Sequence, residues 1–181
     1  MPSAAQNQSR RGITLIEMLV VIILVGILTA ITAAKLDWTR YQAESVGRIL
    51  VADLSQAQRT AVSLQSNVRV TVLSASLIQI HEDANNNNAV DGSERVIQRA
   101  IEPGFALGKG SMSSLPAPAD PTELTTVTFR RDGTASRSGS IYVSNGTTTS
   151  PCKYCRAVAI TRATGRVVSY SHARGSWVRG N

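Results

Sequence analysis

The amino-acid sequence predicts an α+β protein in which one long N-terminal helix packs on an antiparallel, β-rich head. Apolar residues run from Ile13 to Ala34, interrupted by Glu17. They then recur at three- and four-residue spacing to about Gln65, which is typical of an amphipathic helix. After Asn67 the period changes to two, which indicates strands with one buried face.

The chain begins with a short polar segment, residues 1–12, that ends in Arg10, Arg11 and Gly12. An ordinary signal peptide has its cleavage site after the apolar run, whereas here the polar segment and its glycine precede it. The two arginines favour a cytoplasmic position for this segment and an extracytoplasmic position for the rest of the chain.

The apolar run has nearly the length that a membrane crossing needs. From Met18 to Ala34 there are 17 residues without a charge, and Lys35 ends the run. At about 1.5 Å per helical residue, this nearly spans a bilayer core of roughly 30 Å. The sequence therefore predicts a transmembrane or filament-core helix over residues 13–35 and its amphipathic half over residues 36–67.

The head is predicted over residues 68–170. Turn residues separate its short apolar segments, and Asp132-Gly133 and Asn145-Gly146 are hairpin signals. Residues 108–122 are rich in Gly, Ser, Pro and Ala and are predicted to be a loop. The candidate strands are 68–72, 77–80, 95–101, 124–129, 140–143, 156–161 and 166–170.

The positive charge of the chain is concentrated at its C-terminal end. The formal net charge is +7, and residues 133–181 hold seven Lys/Arg and no Asp or Glu, so 7 − 0 accounts for all of it. Such asymmetry indicates either a basic surface for an anionic partner or a solubilising surface. Residues 171–181 are predicted to be a basic Gly/Ser-rich tail.

The two cysteines, Cys152 and Cys155, form a single C-x2-C pair. Such a pair is compatible with half a zinc site, a redox pair or a small disulfide. A zinc site needs two more ligands, and only His81 and His172 are available as histidines. A redox pair needs a thioredoxin-like βαβ context, which the pattern lacks. Outside the cytoplasm a disulfide is the simplest interpretation.

The segment RGITLIEMLV, which starts at Arg11, resembles the leader junction of type IV prepilins and type II secretion pseudopilins. The resemblance implies cleavage between Gly12 and Ile13 by a prepilin peptidase that also N-methylates Ile13. Glu17 falls at the acidic position of that family, where pairing with the free amine of a neighbouring subunit would offset the cost of its burial. The alternative is an ordinary anchor with an accidental glutamate.

Segments of the remaining chain resemble the GspH/FimT group of this superfamily: 46–72, 83–94, 127–134 and 156–168. The resemblance implies a pilin fold with a β-sandwich-like head and a structural subunit at or near a filament tip. The filament that the resemblance implies is a type IV pilus or a type II secretion pseudopilus. Its expected partners are the prepilin peptidase, other pilins and the inner membrane, with the head in the periplasm. The sequence offers no arrangement of catalytic residues, and neither enzyme activity nor a small-molecule substrate is expected.

One loop of the predicted head has oxygen-bearing residues at positions 1, 3, 5, 9 and 12 of an EF-hand-like frame. Calcium is therefore a candidate ligand, and no other cofactor is predicted. The alternative is an Asn-rich turn between strands. The candidate ligands are Asp83, Asn85, Asn87, Asp91 and Glu94.

The basic C-terminal region suggests a second function. Some FimT-like minor pilins bind DNA through a Gly-Arg-x-Arg motif, and Gly165-Arg166-Val167-Val168 retains only its first arginine. Flexible arginines would contact phosphates, and Trp177 would stack on a base. The alternative is a solvated tail with Trp177 docked on the head. The candidate DNA-binding residues are Lys153, Arg156, Arg162, Arg166, Arg174, Trp177 and Arg179.

Overall fold

The computed structural model describes residues 13–33, 37–110, 112–145, 154–173 and 175–180. The chain forms two compact units, residues 1–37 and 38–181. The first contains α1 (Leu15–Ala33), and the second contains α2 (Trp38–Leu64) followed by strands. Within the described residues these strands are β1 (Asn67–Ser74), β2 (Leu77–Asp83), β3 (Val96–Ala100), β4 (Ala106–Leu107), β5 (Thr126–Phe129), β6 (Gly139–Ser144), β7 (Arg156–Ile160), β8 (Val167–Ala173) and β9 (Ser176–Arg179).

The helical region consists of two helices where the sequence predicts one continuous helix. Asp37 is not helical, and α2 begins at the next residue. Aspartate is among the residues preferred immediately before a helix, because its carboxylate accepts the first unpaired backbone N–H groups. The prediction of one helix used only the spacing of apolar residues, which does not reveal a polar residue that starts a new helix. Ala34 and Lys35 lie outside the described residues.

Apart from Glu17, the helix α1 is apolar around its whole circumference. Every side chain from Ile13 to Ala30 is exposed, because no other described element of this unit covers it. Across the described part of the chain, the helices fall short of the length and apolarity that a membrane crossing requires.

The second helix is amphipathic, as the sequence predicts. Its buried face consists of Ala43, Val46, Gly47, Leu50, Leu54, Ala57 and Ala61. Ile49 and Leu64 also belong to the apolar residues that recur at three- and four-residue spacing, but they are exposed, to 45% and 57%. Gln65 ends the helix with a positive φ of 54°, and the Ser66 N–H returns to the Ala61 carbonyl at 3.2 Å.

The strands form two antiparallel sheets, with orders β3-β2-β1-β5 and β4-β6-β7-β8-β9. The second helix contacts β1 and β5 of the first sheet and β7 and β8 of the second. Its small and branched buried side chains therefore join both sheets into one core. The largest fully buried side chains of that core include Phe129, Leu50, Leu54 and Ile78.

Each of the seven predicted strands overlaps an observed one, and β4 and β9 are additional. The basic tail predicted over residues 171–181 is wrong in part. Strand β8 continues to Ala173, and Ser176–Arg179 pairs with it, so that His172 lies opposite Trp177. Gly175, with a φ of 81°, allows the reversal between the two strands. The C-terminal residues 176–179 are consequently the edge of a sheet.

Candidate functional site

The N-terminal helix begins with a capped first turn. The backbone N–H of Glu17 donates to the Thr14 side-chain oxygen at 3.3 Å and to its carbonyl at 3.1 Å. Threonine followed three residues later by glutamate is a helix-start signature. Glu17 is exposed and is the one charged residue of α1. Ile13 is 70% exposed, and Gly12 lies outside the described residues.

This arrangement is one carboxylate at the start of an otherwise apolar helix. A helix that is apolar on all sides is stable in a membrane or in a bundle with other helices. In either setting an isolated carboxylate is costly unless a cation pairs with it. Cleavage before Ile13 would create such a cation on each copy of the chain, since it frees an amino group.

The Asp/Asn loop between β2 and β3 is held by its own hydrogen bonds. The Asp83 carboxylate is fully buried and accepts from the N–H groups of Asn87 and Asn88, both at 3.0 Å. The side-chain amides of Asn85 and Asn87 both donate to Asp91, at 2.7 and 2.8 Å. Asn88 has a left-handed backbone, with a φ of 65°. The described residues contain no cluster of three or more His, Cys, Asp or Glu side chains that could hold a metal ion.

Glu94, the last predicted calcium ligand, instead closes the loop. Its Oε2 lies 2.7 Å from His81 Nε2, and both side chains are only 2% exposed. Its two oxygens also accept from the N–H groups of Ala84, at 3.0 Å, and Asp91, at 3.1 Å. These contacts make the loop a rigid connection between β2 and β3. Calcium binding there remains a prediction.

The closed loop should make stability depend on pH. The hydrogen bond with His81, followed by backbone hydrogen bonds, lowers the pKa of Glu94 from its ordinary value of 4.5. As the pH falls, the Glu94 carboxylate is therefore protonated at a higher pH in the unfolded state than in the folded state. The stabilisation that it provides above about pH 4.5 is lost as the pH falls through its lower folded-state pKa. We expect Glu94→Gln to lower the melting temperature at pH 7 and to flatten its decline between pH 5 and 3.

The measurement is thermal unfolding of the detergent-solubilised chain at each pH. Glu102→Gln, a change at an exposed carboxylate outside the loop, is the matched control. An unchanged slope for Glu94→Gln would contradict the assigned role.

The candidate DNA-binding residues that the structure describes do not form one cluster. Arg156 is only 7% exposed and donates to Glu44 of α2 at 3.1 Å and to the Cys155 carbonyl at 3.0 Å. Its stem packs on Gly47, where an added Cβ would lie 3.2 Å from Arg156 Cγ. Its assignment to DNA is therefore wrong, because this side chain joins β7 to α2. Lys153 and Arg174 lie outside the described residues.

Two of the remaining arginines line a common groove. Arg166 and Arg179 are exposed and border an open groove of about 600 Å³ beside β7 and β8, together with Tyr170 and Asp120. Arg162 is also exposed, but it lies outside this groove. Tyr170 of β8 pairs with Arg179 of β9, so that both strands contribute a residue to this groove.

Trp177 is docked on the head, as the alternative interpretation of the sequence states. Its ring centroid is 6.1 Å from that of Tyr142 and 5.0 Å from that of His172, with edge-on geometry in both cases. Its indole N–H donates to the Ser113 carbonyl at 3.2 Å. These contacts hold the ring, so that stacking on a base would require them to break.

Cys155 is fully buried and disulfide-bonded, immediately before β7. Cys152, the other cysteine of the sequence, lies outside the described residues, and the pairing of the two remains a prediction.

Sequence reasoning missed a contact that holds two turns to α2. The Gln58 side-chain amide donates to the carbonyls of Gly133 and Thr164, at 2.9 and 2.8 Å. Gly165 lies against Gly133 and Gln58, because a Cβ there would be 2.2 Å from the Gly133 oxygen and 2.5 Å from Gln58 Nε2. Gln58 lies four residues after Leu54 and three before Ala61, at the spacing of the buried face of α2. A polar residue at this spacing was the available signal. Gly165 therefore has a structural role beside any role of Arg166.

Two family models match parts of the sequence. The family model for the prokaryotic N-terminal methylation motif matches residues 7–33, and that for the type II transport protein GspH matches residues 47–165. No curated protein matches the chain.

The solved structures that are similar to the chain include a minor pilin and a minor pseudopilin. One is the type IV minor pilin FimU of Pseudomonas aeruginosa, which is 16% identical with a TM-score of 0.49 over 71% of this chain and 88% of that chain. The other is the minor pseudopilin EpsH of the Vibrio cholerae type 2 secretion system, which is 12% identical with a TM-score of 0.49 over 75% of this chain and 99% of that chain.

The GspH match covers more than half of the sequence and includes most of α2 and the strands from β1 to β7. The methylation motif covers α1, with Thr14 and Glu17 in its first turn. The chain therefore belongs to the family of the type II transport protein GspH and carries the prokaryotic N-terminal methylation motif ahead of that domain.

Proposed function

We propose that the chain is a non-enzymatic minor pilin or pseudopilin, a structural subunit of a type IV pilus or a type II secretion pseudopilus at or near the filament tip. The observation that carries the proposal is α1, an exposed apolar helix with a single carboxylate in its first turn. Its apolar surface is suited first to a bilayer and then to a bundle of equivalent helices from other subunits.

Before assembly the subunit is anchored in the bacterial inner membrane by residues 13–35, with its head in the periplasm. Arg10 and Arg11 favour a cytoplasmic N-terminus. The disulfide-bonded state of Cys155 fits an oxidising compartment. A prepilin peptidase cleaves the chain between Gly12 and Ile13 and methylates the Ile13 amine.

Processing can be tested by co-expressing the full chain with a prepilin peptidase and measuring the mass of the membrane-bound product. We expect a chain that begins at N-methylated Ile13. A catalytically inactive peptidase is the control and should leave residues 1–12 attached. A chain that stays uncut beside the active peptidase would contradict the proposal.

A second candidate function is DNA capture during natural transformation, through the groove that Arg166 and Arg179 share with Tyr170. Two exposed guanidinium groups provide phosphate contacts, and a tyrosine ring provides a stacking surface for a base. The absence of acidic residues from 133–181 supports this candidate. Asp120 in the same groove opposes it, because its pKa is lowered by hydrogen bonds with Thr122, which favours the charged form.

DNA binding can be tested by gel shift of the detergent-solubilised full chain at several salt concentrations. Replacing Arg166 and Arg179 together by Ala should weaken binding to every sequence and reduce the salt slope by about 2, one per phosphate contact. Arg130 and Arg131 are exposed arginines outside the groove, and their double replacement is the matched control. Equal effects of the two double variants would exclude the groove as the binding site.

A further inference from the structure

The first turn of α2 carries an exposed pair of aromatic side chains. Trp38 is 69% exposed and Tyr41 is 57% exposed. Their ring centroids are 6.5 Å apart with an interplanar angle of 63°, so that the rings contact edge-on. Residues three apart lie on the same side of a helix, and the pair therefore forms one continuous surface. The docked rings of Trp177 and Tyr142 provide a contrast within the same unit.

Aromatic rings of this kind have a specific chemical preference. Trp and Tyr combine a large apolar body with one polar N–H or O–H group, and they are enriched where a membrane meets water. Exposure of two such rings to water alone leaves a large apolar area unburied. The apolar bodies are suited to the upper acyl region of a bilayer, and the polar groups are suited to its headgroups.

The position of the pair in the sequence supports this environment. Four residues separate Ala33, the last residue of α1, from Trp38. Even fully extended, these five steps span at most roughly 17 Å. Lys35 lies in this connection, and Arg40 is exposed between the two aromatic residues. Cationic side chains next to an apolar segment are attracted to anionic headgroups.

We infer that Trp38 and Tyr41 are a membrane-interface anchor, which inserts into the headgroup region at the periplasmic surface of the bilayer before the subunit enters a filament. The inference rests on the proposed anchoring of α1 in the membrane. It adds a second contact with lipid, made by the head-bearing unit, which fixes the depth at which α2 begins.

The chain contains two tryptophans, so each can be observed alone. In a Trp177→Phe variant, Trp38 is the sole tryptophan. The full chain is reconstituted into bilayers of phosphatidylethanolamine and phosphatidylglycerol. Its emission is then measured with aqueous iodide, with lipids that carry a quencher near the headgroup, and with lipids that carry one at the acyl end. We expect blue-shifted emission that the shallow quencher reduces most and iodide reduces least.

The Trp38→Phe variant, which retains only Trp177, is the matched control and should be insensitive to both lipid quenchers. Emission of Trp38 that iodide reduces most would show a pair in water and overturn the inference. Blue-shifted emission that no quencher reduces would also overturn it, since another protein surface would then cover the pair. Sedimentation of the chain with the vesicles is measured in the same samples. A chain that does not sediment with them would overturn the membrane anchoring by α1 as well, whereas a sedimenting chain with Trp38 in water would overturn the interface anchor alone.

Discussion

Replacing Glu17 with Val should leave cleavage after Gly12 unchanged and sharply reduce the amount of the subunit in filaments. In the proposed assembly, the carboxylate of Glu17 pairs with the Ile13 amine of a neighbouring subunit inside an apolar bundle. Removing one partner of a buried ion pair leaves the other charge uncompensated, at a cost of about 3–5 kcal/mol. Since about 1.4 kcal/mol is a factor of ten, incorporation should fall on the order of a hundredfold or more.

The measurement compares the mature mass of the chain with its abundance in sheared filaments. Thr14→Ala is the matched control, because it removes the cap of the same helical turn and retains the charge. Its cost should be about 1 kcal/mol, the usual value for a lost cap. If Glu17 acted only by supporting the helix start, the two variants would be impaired to a similar extent. Normal incorporation of Glu17→Val would refute the link between processing and assembly.

Replacing Gly165 with Ala should strongly destabilise the head. The residue has a φ of 60°, a left-handed backbone that costs an L-residue roughly 1–2 kcal/mol. An added Cβ would also lie 2.2 Å from the Gly133 carbonyl oxygen. Relieving that overlap requires movement of backbone and of Gln58, so that we expect a total loss of about 3 kcal/mol or more in the free energy of unfolding.

Gly110 provides a control for the backbone term. Its φ is 52°, and nothing lies within 4 Å of an added Cβ, so that Gly110→Ala isolates the backbone strain. Both variants are placed in the Trp38→Phe background, and urea unfolding of the detergent-solubilised chain is followed by Trp177 emission. Equal losses for the two variants would show that the contact with Gly133 and Gln58 contributes nothing.

The fold class and most strands were predictable, because the buried positions of a helix or strand are apolar and recur at a regular spacing in the sequence. The alternation in β1 places Val68 and Val70 in the core. The division of the helical region was not predicted, since Asp37 interrupts the helix without interrupting the apolar spacing. Strand β9 was also missed. Its four residues resemble a flexible basic tail until pairing with β8 is known.

The site residues were predictable to a different degree. The N-terminal motif is local, and short spacing between Thr14 and Glu17 is enough to indicate a helix start. Arg156 required knowledge of the fold, because its partner Glu44 is 112 positions away in the chain. Charge counting treated it as one more surface arginine. The same limit applies to Glu94, where the spacing of oxygen-bearing residues suggested a metal ligand and the structure provides a buried histidine partner.

The polar contacts of α2 also have a mechanical consequence. Glu44 joins the helix to the second sheet through its contact with Arg156 of β7. Gln58 joins the helix to two turns through its hydrogen bonds with Gly133 and Thr164. Along the helix axis these contacts are about 21 Å apart, at 1.5 Å per residue. Tension in a filament would act on each subunit through its helices. A force along the axis of α2 would therefore act on both of these contacts in shear at the same time. Under such a load these two contacts would have to break together, whereas peeling from one end would break them in sequence.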